Sequence, residues 1–222
     1  MTGPEIDVST IVSDLFEENA YVVRKKGSDV CVVIDPGLDP VQIVKYIESE
    51  NLSVAASLIT HGHSDHIGGN ATLKERWPDC QIVIGTQDAP KLINPELNLS
   101  ASFGVELSSP PADVTVDDGD VYSAAGLEFT VAAIPGHSVG HVVYCIHATS
   151  PKMVFVGDVI FYSSVGRTDL PGGSFQQLAA GIHKKLFSMP DETILLPGHG
   201  PKTTVGREKI SNPFVGQKAR KL

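Results

Sequence analysis

The sequence predicts an α/β chain built on mixed rather than wholly parallel sheets. Three observations carry that reading. Short β-branched runs alternate with amphipathic helical stretches near the amino end, tight-turn pairs crowd the middle, and a helix and a buried strand close the chain. In order, "YVVRKKGSDVCVVIDPG" holds two β-branched runs about a Gly-Ser turn and reads as a hairpin. "DPVQIVKYIESEN" sets Val41, Ile43, Val44 and Ile47 on one helical face, with Pro40 near its start, where a missing N–H is harmless. "SVAASLIT" is a short apolar strand, "IGGNATLKERWPD" a helix ended by Pro78, and "CQIVIGT" the next buried strand. From Gln87 to Pro111, prolines and small polar residues blur the pattern into a long loop with broken helix. "VTVDDGDVYSAAGLEFTVAAIPG" returns to strands around Asp-Gly and Ala-Gly turns, followed by strands in "HVVYCIHA" and "KMVFVGD". "SFQQLAAGIHKKLFSM" spaces Phe175, Leu178, Ile182, Leu186 and Phe187 along one side of a helix capped by Ser174. "ETILLPGHG" is the last buried strand, and the mostly polar and basic tail "SNPFVGQKARKL" is expected to fray.

The 222 residues, 41% of them hydrophobic, supply ample core, and neither a linker nor a short-period repeat divides them, so one domain over 1–222 is expected. A formal net charge of −9 argues against a nucleic-acid partner, since phosphate neutralisation needs clustered Lys and Arg. No run approaches the roughly 18 apolar residues of a membrane span. The start "MTGPEIDVST" has neither a basic nor an apolar leader, and a cytoplasmic location is expected. Cys31, Cys80 and Cys145 lie in or beside hydrophobic runs and read as buried reduced thiols. No obligate protein partner is evident.

In four places an apolar strand runs straight into metal-competent side chains. After "SLIT" come His61, His63, Asp65 and His66; after "VAAIPG", His137; after "VFVG", Asp158; after "ILLPG", His199. Ligands of α/β sheets sit at the carboxyl ends of strands. A lone His-x-His is an ordinary pair of turn histidines; the recurrence at four strand ends is what matters, because crowding these groups together unpaired is costly. Imidazole and carboxylate donors suit two divalent ions, zinc first, with iron or manganese also accepted. His61 and His63, two apart on an extended segment, reach one ion and are joined by His137. Asp65 and His66, past the bend, reach a second ion and are joined by His199. Asp158 is the natural bridge, and Asp65 and Asp158 are the carboxylates expected at the catalytic centre. Two divalent ions, two carboxylates and one hydroxide leave about one net positive charge, suited to a developing oxyanion, and bound water acidified to a pKa of about 7 is the expected nucleophile. No uncommitted His or Glu near the motifs offers itself as a general acid. An amide nitrogen must be protonated as it leaves, whereas a thiolate, with a conjugate acid near pKa 8.5, departs as the anion, so the pattern favours a thioester over a lactam.

"THGHSDH", "PGHSVGH", "VGD" and "PGHG" resemble the signature of the metallo-β-lactamase superfamily, and the resemblance covers nearly the whole chain. It implies a four-layer αβ/βα sandwich, two mixed β-sheets flanked by helices. It implies the same ligands too: His61, His63 and His137 for one ion, Asp65, His66 and His199 for the other, with Asp158 shared. Many lactamases of the superfamily place Cys where Asp158 stands; Asp points to the bridged, hydrolytic type. "GDVIFYSSVGRTDLPGGS" and "PGHGPKTTVGREKISNPF" resemble single-domain glyoxalase-II-like hydrolases, which implies cleavage of S-(2-hydroxyacyl)glutathione thioesters to a hydroxy acid and glutathione, by attack of a metal-bridging hydroxide. Two-domain members carry a helical extension with basic residues that grip glutathione, for which there is no room after His199. They also carry a Lys and a nearby Tyr where this sequence has Gly166-Arg167-Thr168-Asp169.

Arg167 is therefore expected either to hold a substrate carboxylate or to pair with Asp169, and Tyr162 to line the substrate cleft or pack in it. Asp35, in "IDPG", either orients a ligand histidine or forms a turn. His141 begins an apolar strand, which favours His137 as the ligand; His147 and His183 read as surface residues. Three rivals stand beside the hydrolase: a mononuclear iron persulfide dioxygenase of the same superfamily, which shares "GRTD"; a lactonase using the same ligand set; and a non-catalytic binding module, which usually loses ligands that are all filled here.

Overall fold

The computed structural model describes residues 5–146, 149–217 and 219. A half-exposed strand, β1 (Ile6–Val12), pairs antiparallel with β2 (Asn19–Lys25), and β2 turns at Gly27, where φ is +79°, to pair antiparallel with β3 (Val30–Ile34). Beyond β3 the connections become helical or long, and the strands turn parallel: β4 (Ser53–Ile59), β5 (Gln81–Gly85) and β6 (Val114–Val116). β3, β4 and β5 are buried nearly throughout, which is why they read as unbroken apolar runs rather than alternating ones. α1 (Val41–Ser49) buries Ile43, Val44 and Ile47; a separate short α2 (Ser64–Ile67) comes next, and the helix expected over "IGGNATLKERWPD" begins at Asn70 as α3 (Asn70–Arg76).

The second sheet is mostly antiparallel. β7 (Val121–Ala124) and β8 (Leu127–Ala133) form a hairpin whose turn, Ala125-Gly126, has positive φ at both residues, as a two-residue turn matched to strand twist requires. β9 (Val142–Ile146) and β10 (Met153–Gly157) follow. β11 (Ile160–Phe161) and β12 (Ser164–Val165) make a separate ribbon. α4 (Phe175–Gly181) starts at Ser174, whose Oγ accepts the Gln177 N–H at 3.3 Å, and it widens into a π-helical turn over Ile182–Leu186. β13 (Ile194–Pro197) returns parallel to β10, and β14 (Thr203–Thr204) and α5 (Val205–Ser211) complete the described elements.

Among the described residues the two sheets each have six strands, ordered β1-β2-β3-β4-β5-β6 and β14-β13-β10-β9-β8-β7. Tyr21, Ile34, Leu58 and Val83 from the first sheet meet Phe129, Tyr144, Phe155 and Leu196 from the second to form the central core. On the outer face of the first sheet, Val22, Cys31 and Val33 pack against Ile43, Ile47 and Leu73 of α1 and α3. On the outer face of the second, Val154, Val156 and Leu195 pack against Leu178, Ile182 and Val205. Helix, sheet, sheet and helix are thus the four layers of the expected αβ/βα sandwich.

Two differences from the sequence reading have physical causes. α5 gave no apolar period because the side chain it buries beside Val205 is Glu208, which accepts from Thr203 Oγ1 at 2.6 Å, Asn212 Nδ2 at 2.9 Å and the Ser163 N–H at 3.1 Å. The same network holds the beginning of the tail: Asn212 and Val215 are buried, contrary to the expected fraying, and Asn212 Oδ1 accepts the Phe214 and Val215 N–H groups. His147, Ala148 and residues 218 and 220–222 lie outside the described residues. Among the described residues no helix is long and apolar enough to cross a membrane.

Candidate metal centre

β4 delivers Thr60 and then His61, Gly62 and His63 in an extended stretch. A side chain at Gly62 would run into Lys91 at 2.5 Å, so glycine lets this segment lie flat against the helical turn beneath it. His63, at φ −76° and ψ 150°, is the residue before α2, and the helical turn brings Asp65 and His66 back toward the two preceding rings. His137 follows Gly136, whose φ is +130° and whose missing side chain makes room for Ser174 O and Leu178 N at 2.5 Å. Asp158 and His199 stand just past β10 and β13.

The seven side chains nominated from the sequence meet in one place. His137 Nε2 lies 3.2 Å from His61 Nε2 and 3.0 Å from His63 Nδ1. Asp65 Oδ2 lies 3.4 Å from His199 Nε2 and 3.8 Å from His66 Nε2. Asp158 stands between the two groups: Oδ1 is 3.5 Å from His66 Nε2, and Oδ2 is 3.5 Å from His137 Nε2 and 3.7 Å from His199 Nε2. Donor atoms of His61, His63 and His137, of His61, His66 and Asp158, and of Asp65, His66 and His199 each fall within 4.8 Å of one another.

Three of these rings are committed to a single tautomer. His66 Nδ1 donates to Asp35 Oδ2 at 3.0 Å, His137 Nδ1 to the Arg167 carbonyl at 2.9 Å, and His199 Nδ1 to the Phe16 carbonyl at 3.0 Å. An acceptor on Nδ1 leaves the Nε2 lone pair facing inward, the arrangement by which outer groups orient metal-binding imidazoles. Asp35, at φ +48°, is itself fixed by the Thr60 N–H at 2.8 Å and Thr60 Oγ1 at 2.7 Å, so of its two readings the orienting contact is the one present. Burial pushes His61 and His63 well below the usual histidine range and lowers His137, which keeps those rings neutral and their lone pairs available. His66 is buried and His199 half-buried, which opposes their protonation, but Asp65 and Asp158, with Asp35 on His66, outweigh that cost and raise both. Burial opposes ionisation of Asp65, yet His66, His199 and His63 prevail and hold its carboxyl below the usual carboxylate range.

A cation fits this donor set. His66 Nε2 and Asp158 Oδ1 are buried and have no protein partner, although each is surrounded by polar atoms. Leaving such groups unpaired costs about 1–3 kcal/mol each, and divalent ions among the rings and carboxylates would satisfy both.

The remaining nominated residues divide. Arg167 lines the cavity of about 490 Å³ beside the cluster, but its Nε and Nη2 are forked onto Asp169 at 2.8 and 2.7 Å on the exposed surface. Tyr162 is a correction: it is absent from the described residues lining that cavity, and its half-exposed ring lies under the Arg207 guanidinium, 3.4 Å from the ring centre. Arg207 belongs to α5, the helix that escaped the sequence reading. His141 is buried, stacks on His61 with centroids 4.7 Å apart, and accepts the Asp158 N–H at 3.2 Å. His183 is exposed. Among the residues that the sequence reading missed, Asp88, fully buried, accepts from the Gly62 N–H at 2.8 Å, the Gly140 N–H at 2.9 Å and Ser138 Oγ at 2.7 Å, tying the His61–His63 segment to the His137 segment. It lies beyond the end of β5, in the stretch that reads from the sequence as a long loop.

The family model "Metallo-beta-lactamase superfamily" matches residues 14–199, a span that contains all four strand ends. The "Hydroxyacylglutathione hydrolase GloC" of Haemophilus influenzae is 31% identical over 221 residues, 96% of this chain and 100% of that protein. Among solved structures, the "BLEG-1 B3 metallo-beta-lactamase" superposes with a TM-score of 0.89 at 34% identity, covering 94% of this chain and 99% of that one. "TTHA1623 in a di-iron-bound form" superposes at 0.80 with 36% identity, covering 93% and 100%. With the match running from the loop after β1 to the last histidine of the cluster, and with the same sandwich in the solved relatives, the chain belongs to the metallo-β-lactamase superfamily.

Proposed function

We propose that this protein is a binuclear metallo-hydrolase of small thioesters, with S-(2-hydroxyacyl)glutathione as the substrate type. His61, His63 and His137 would hold one ion, Asp65, His66 and His199 the other, with Asp158 between them; zinc suits the donors, and iron or manganese is compatible. When bound, such ions supply Lewis acidity to a carbonyl oxygen and bring the pKa of water near neutrality.

One observation carries the choice of thioester. Every carboxylate and imidazole among the described residues lining the cavity is a member of the ligand cluster, and the other titratable group there is Arg167, engaged by Asp169. No side chain is left to protonate a departing amine. A thiolate needs no such proton. The chain's own contribution is positional: Asp35 and the carbonyls of Phe16 and Arg167 hold the Nδ1 protons of three rings, and the cavity walls seat the acyl carbon beside the cluster. The relative named hydroxyacylglutathione hydrolase supports this reading, whereas the relative named as a B3 lactamase favours a lactam.

The test sets the two against each other. Metal-loaded protein, its ions counted by elemental analysis, is assayed for thiol release from S-D-lactoylglutathione and for opening of a chromogenic cephalosporin. Thioester cleavage with the larger kcat/KM is expected. Faster lactam opening, or full activity without bound metal, would sink the proposal.

A further inference from the structure

We propose that the mouth of this cavity is an acyl-group subsite built for an aromatic side group, so that aromatic 2-hydroxyacyl thioesters are preferred to lactoyl; this rests on the thioester reading above. Phe16 and Phe103 come from opposite ends of the first sheet's sequence, yet their rings meet edge-to-face with centroids 5.6 Å apart, at 67°. Both line the cavity, and both are left in water, Phe16 at 48% and Phe103 at 63% exposure. Leu99 and Leu170 add to the apolar lining of the same cavity, which Asp65 and His199 also line. A contiguous apolar surface of this kind, continuous with a ligand-competent cluster, gains most when an apolar group covers it.

The backbone around it is held in an unfavourable conformation. Phe16, Glu17 and Leu99 have φ of +66°, +52° and +71°, left-handed values that a residue with a side chain avoids, and such strain gathers at ligand clamps. In the first of these loops the same residue serves both ends of the site: the Phe16 carbonyl accepts from His199 Nδ1 while its ring forms the mouth. The position of the aromatic wall is thereby tied to the ligand cluster.

Charge decides which half of a thioester lies there. Arg167 is the one Lys or Arg among the described residues lining the cavity, and Asp169 occupies its fork. Glutathione carries two carboxylates and an ammonium and finds no free partner on an apolar wall, so the thiol half extends to solvent and the acyl substituent takes the Phe16–Phe103 mouth.

S-D-mandeloylglutathione and S-D-lactoylglutathione share the thiol and the 2-hydroxyl and differ by phenyl against methyl. Each buried methylene equivalent is worth about fourfold, and with the open mouth discounting part of the ring, kcat/KM is expected to favour mandeloyl by about tenfold. Phe103→Ala, at an exposed position where truncation is tolerated, should bring that ratio toward one, and Phe103→Leu should keep part of it. A readout independent of turnover comes from calorimetry on metal-free protein, where neutral mandelamide should bind about tenfold more tightly than lactamide. Equal or inverted preference in the unaltered protein overturns the proposal, as does a preference that survives Phe103→Ala. If neither thioester is cleaved but mandelamide still binds selectively, the subsite stands and the thioester reading fails.

Discussion

Replacing Asp88 should damage the site without touching any of the seven nominated ligands. Its carboxylate, fully buried, accepts from two backbone N–H groups and from Ser138 Oγ, and lies 3.4 Å from Lys91 Nζ, whose side chain is only 9% exposed and also donates to Ser138. Asp88→Ala would strand two amides, a hydroxyl and a buried ammonium together. An unmet buried donor costs about 1–3 kcal/mol and breaking a buried ion pair about 3–5 kcal/mol; because these groups share one acceptor the losses do not add, and about 4 kcal/mol in total is expected. Gly62 lies between two nominated ligands and Ser138 follows a third, so the same change should loosen the His61–His63–His137 group, with metal affinity there falling about 10- to 100-fold. Urea unfolding of the metal-free protein gives the first quantity and metal competition with a chromophoric chelator the second. Adding Lys91→Met to Asp88→Ala should recover part of the stability, since the stranded charge is gone. A loss below about 1 kcal/mol with metal affinity unaltered would refute the reasoning.

Three further outcomes are expected. Asp158→Ala should lose at least one ion by elemental analysis and nearly all turnover; retention of both ions and full activity would remove Asp158 from its bridging place. Arg167→Ala should change KM for a glutathione thioester less than about threefold, because both arms of its guanidinium fork are already held by Asp169; a tenfold rise would make Arg167 a substrate group. Burial pushes the Cys31 and Cys80 thiols up to about 12 and Cys145 up to about 11, so native protein should not react with Ellman's reagent at about pH 8, while denatured protein should expose the three thiols. Since these thiols ionise from about pH 8.5 in the unfolded chain and not in the folded one, the stability they contribute is fully present below that pH and is lost as pH rises toward 11–12. A urea midpoint that rose between about pH 8 and 10 would contradict this sign.

What could be read from the chain followed from chemistry that is local in sequence. A buried strand is apolar and short, and ligands of α/β sheets sit at strand carboxyl ends, so "SLITHGHSDH" and "VFVGD" pointed to both the element and the cluster that its end joins. Residues whose role is to receive a hydrogen bond from elsewhere carry no such mark. Asp88 serves amides at Gly62 and Gly140, and nothing in "TQDAPK" announces either. α5 was invisible because its buried face includes a carboxylate, and Tyr162 was misplaced because its neighbour Arg207 rides on that helix. Phe16 and Phe103 drew no reading from the sequence, since solvent exposure is a property of the assembled surface and not of spacing.

The order in which the ligands occur has a consequence for assembly. The first sheet ends with Val116 and the second begins with Val121, so the chain is two consecutive halves, with His61 to His66 in the first and His137, Asp158 and His199 in the second. Neither half owns a complete cage. Ions held there would therefore act as rivets across the seam, and chelation of metal-loaded protein is expected to weaken that seam ahead of the rest of the molecule.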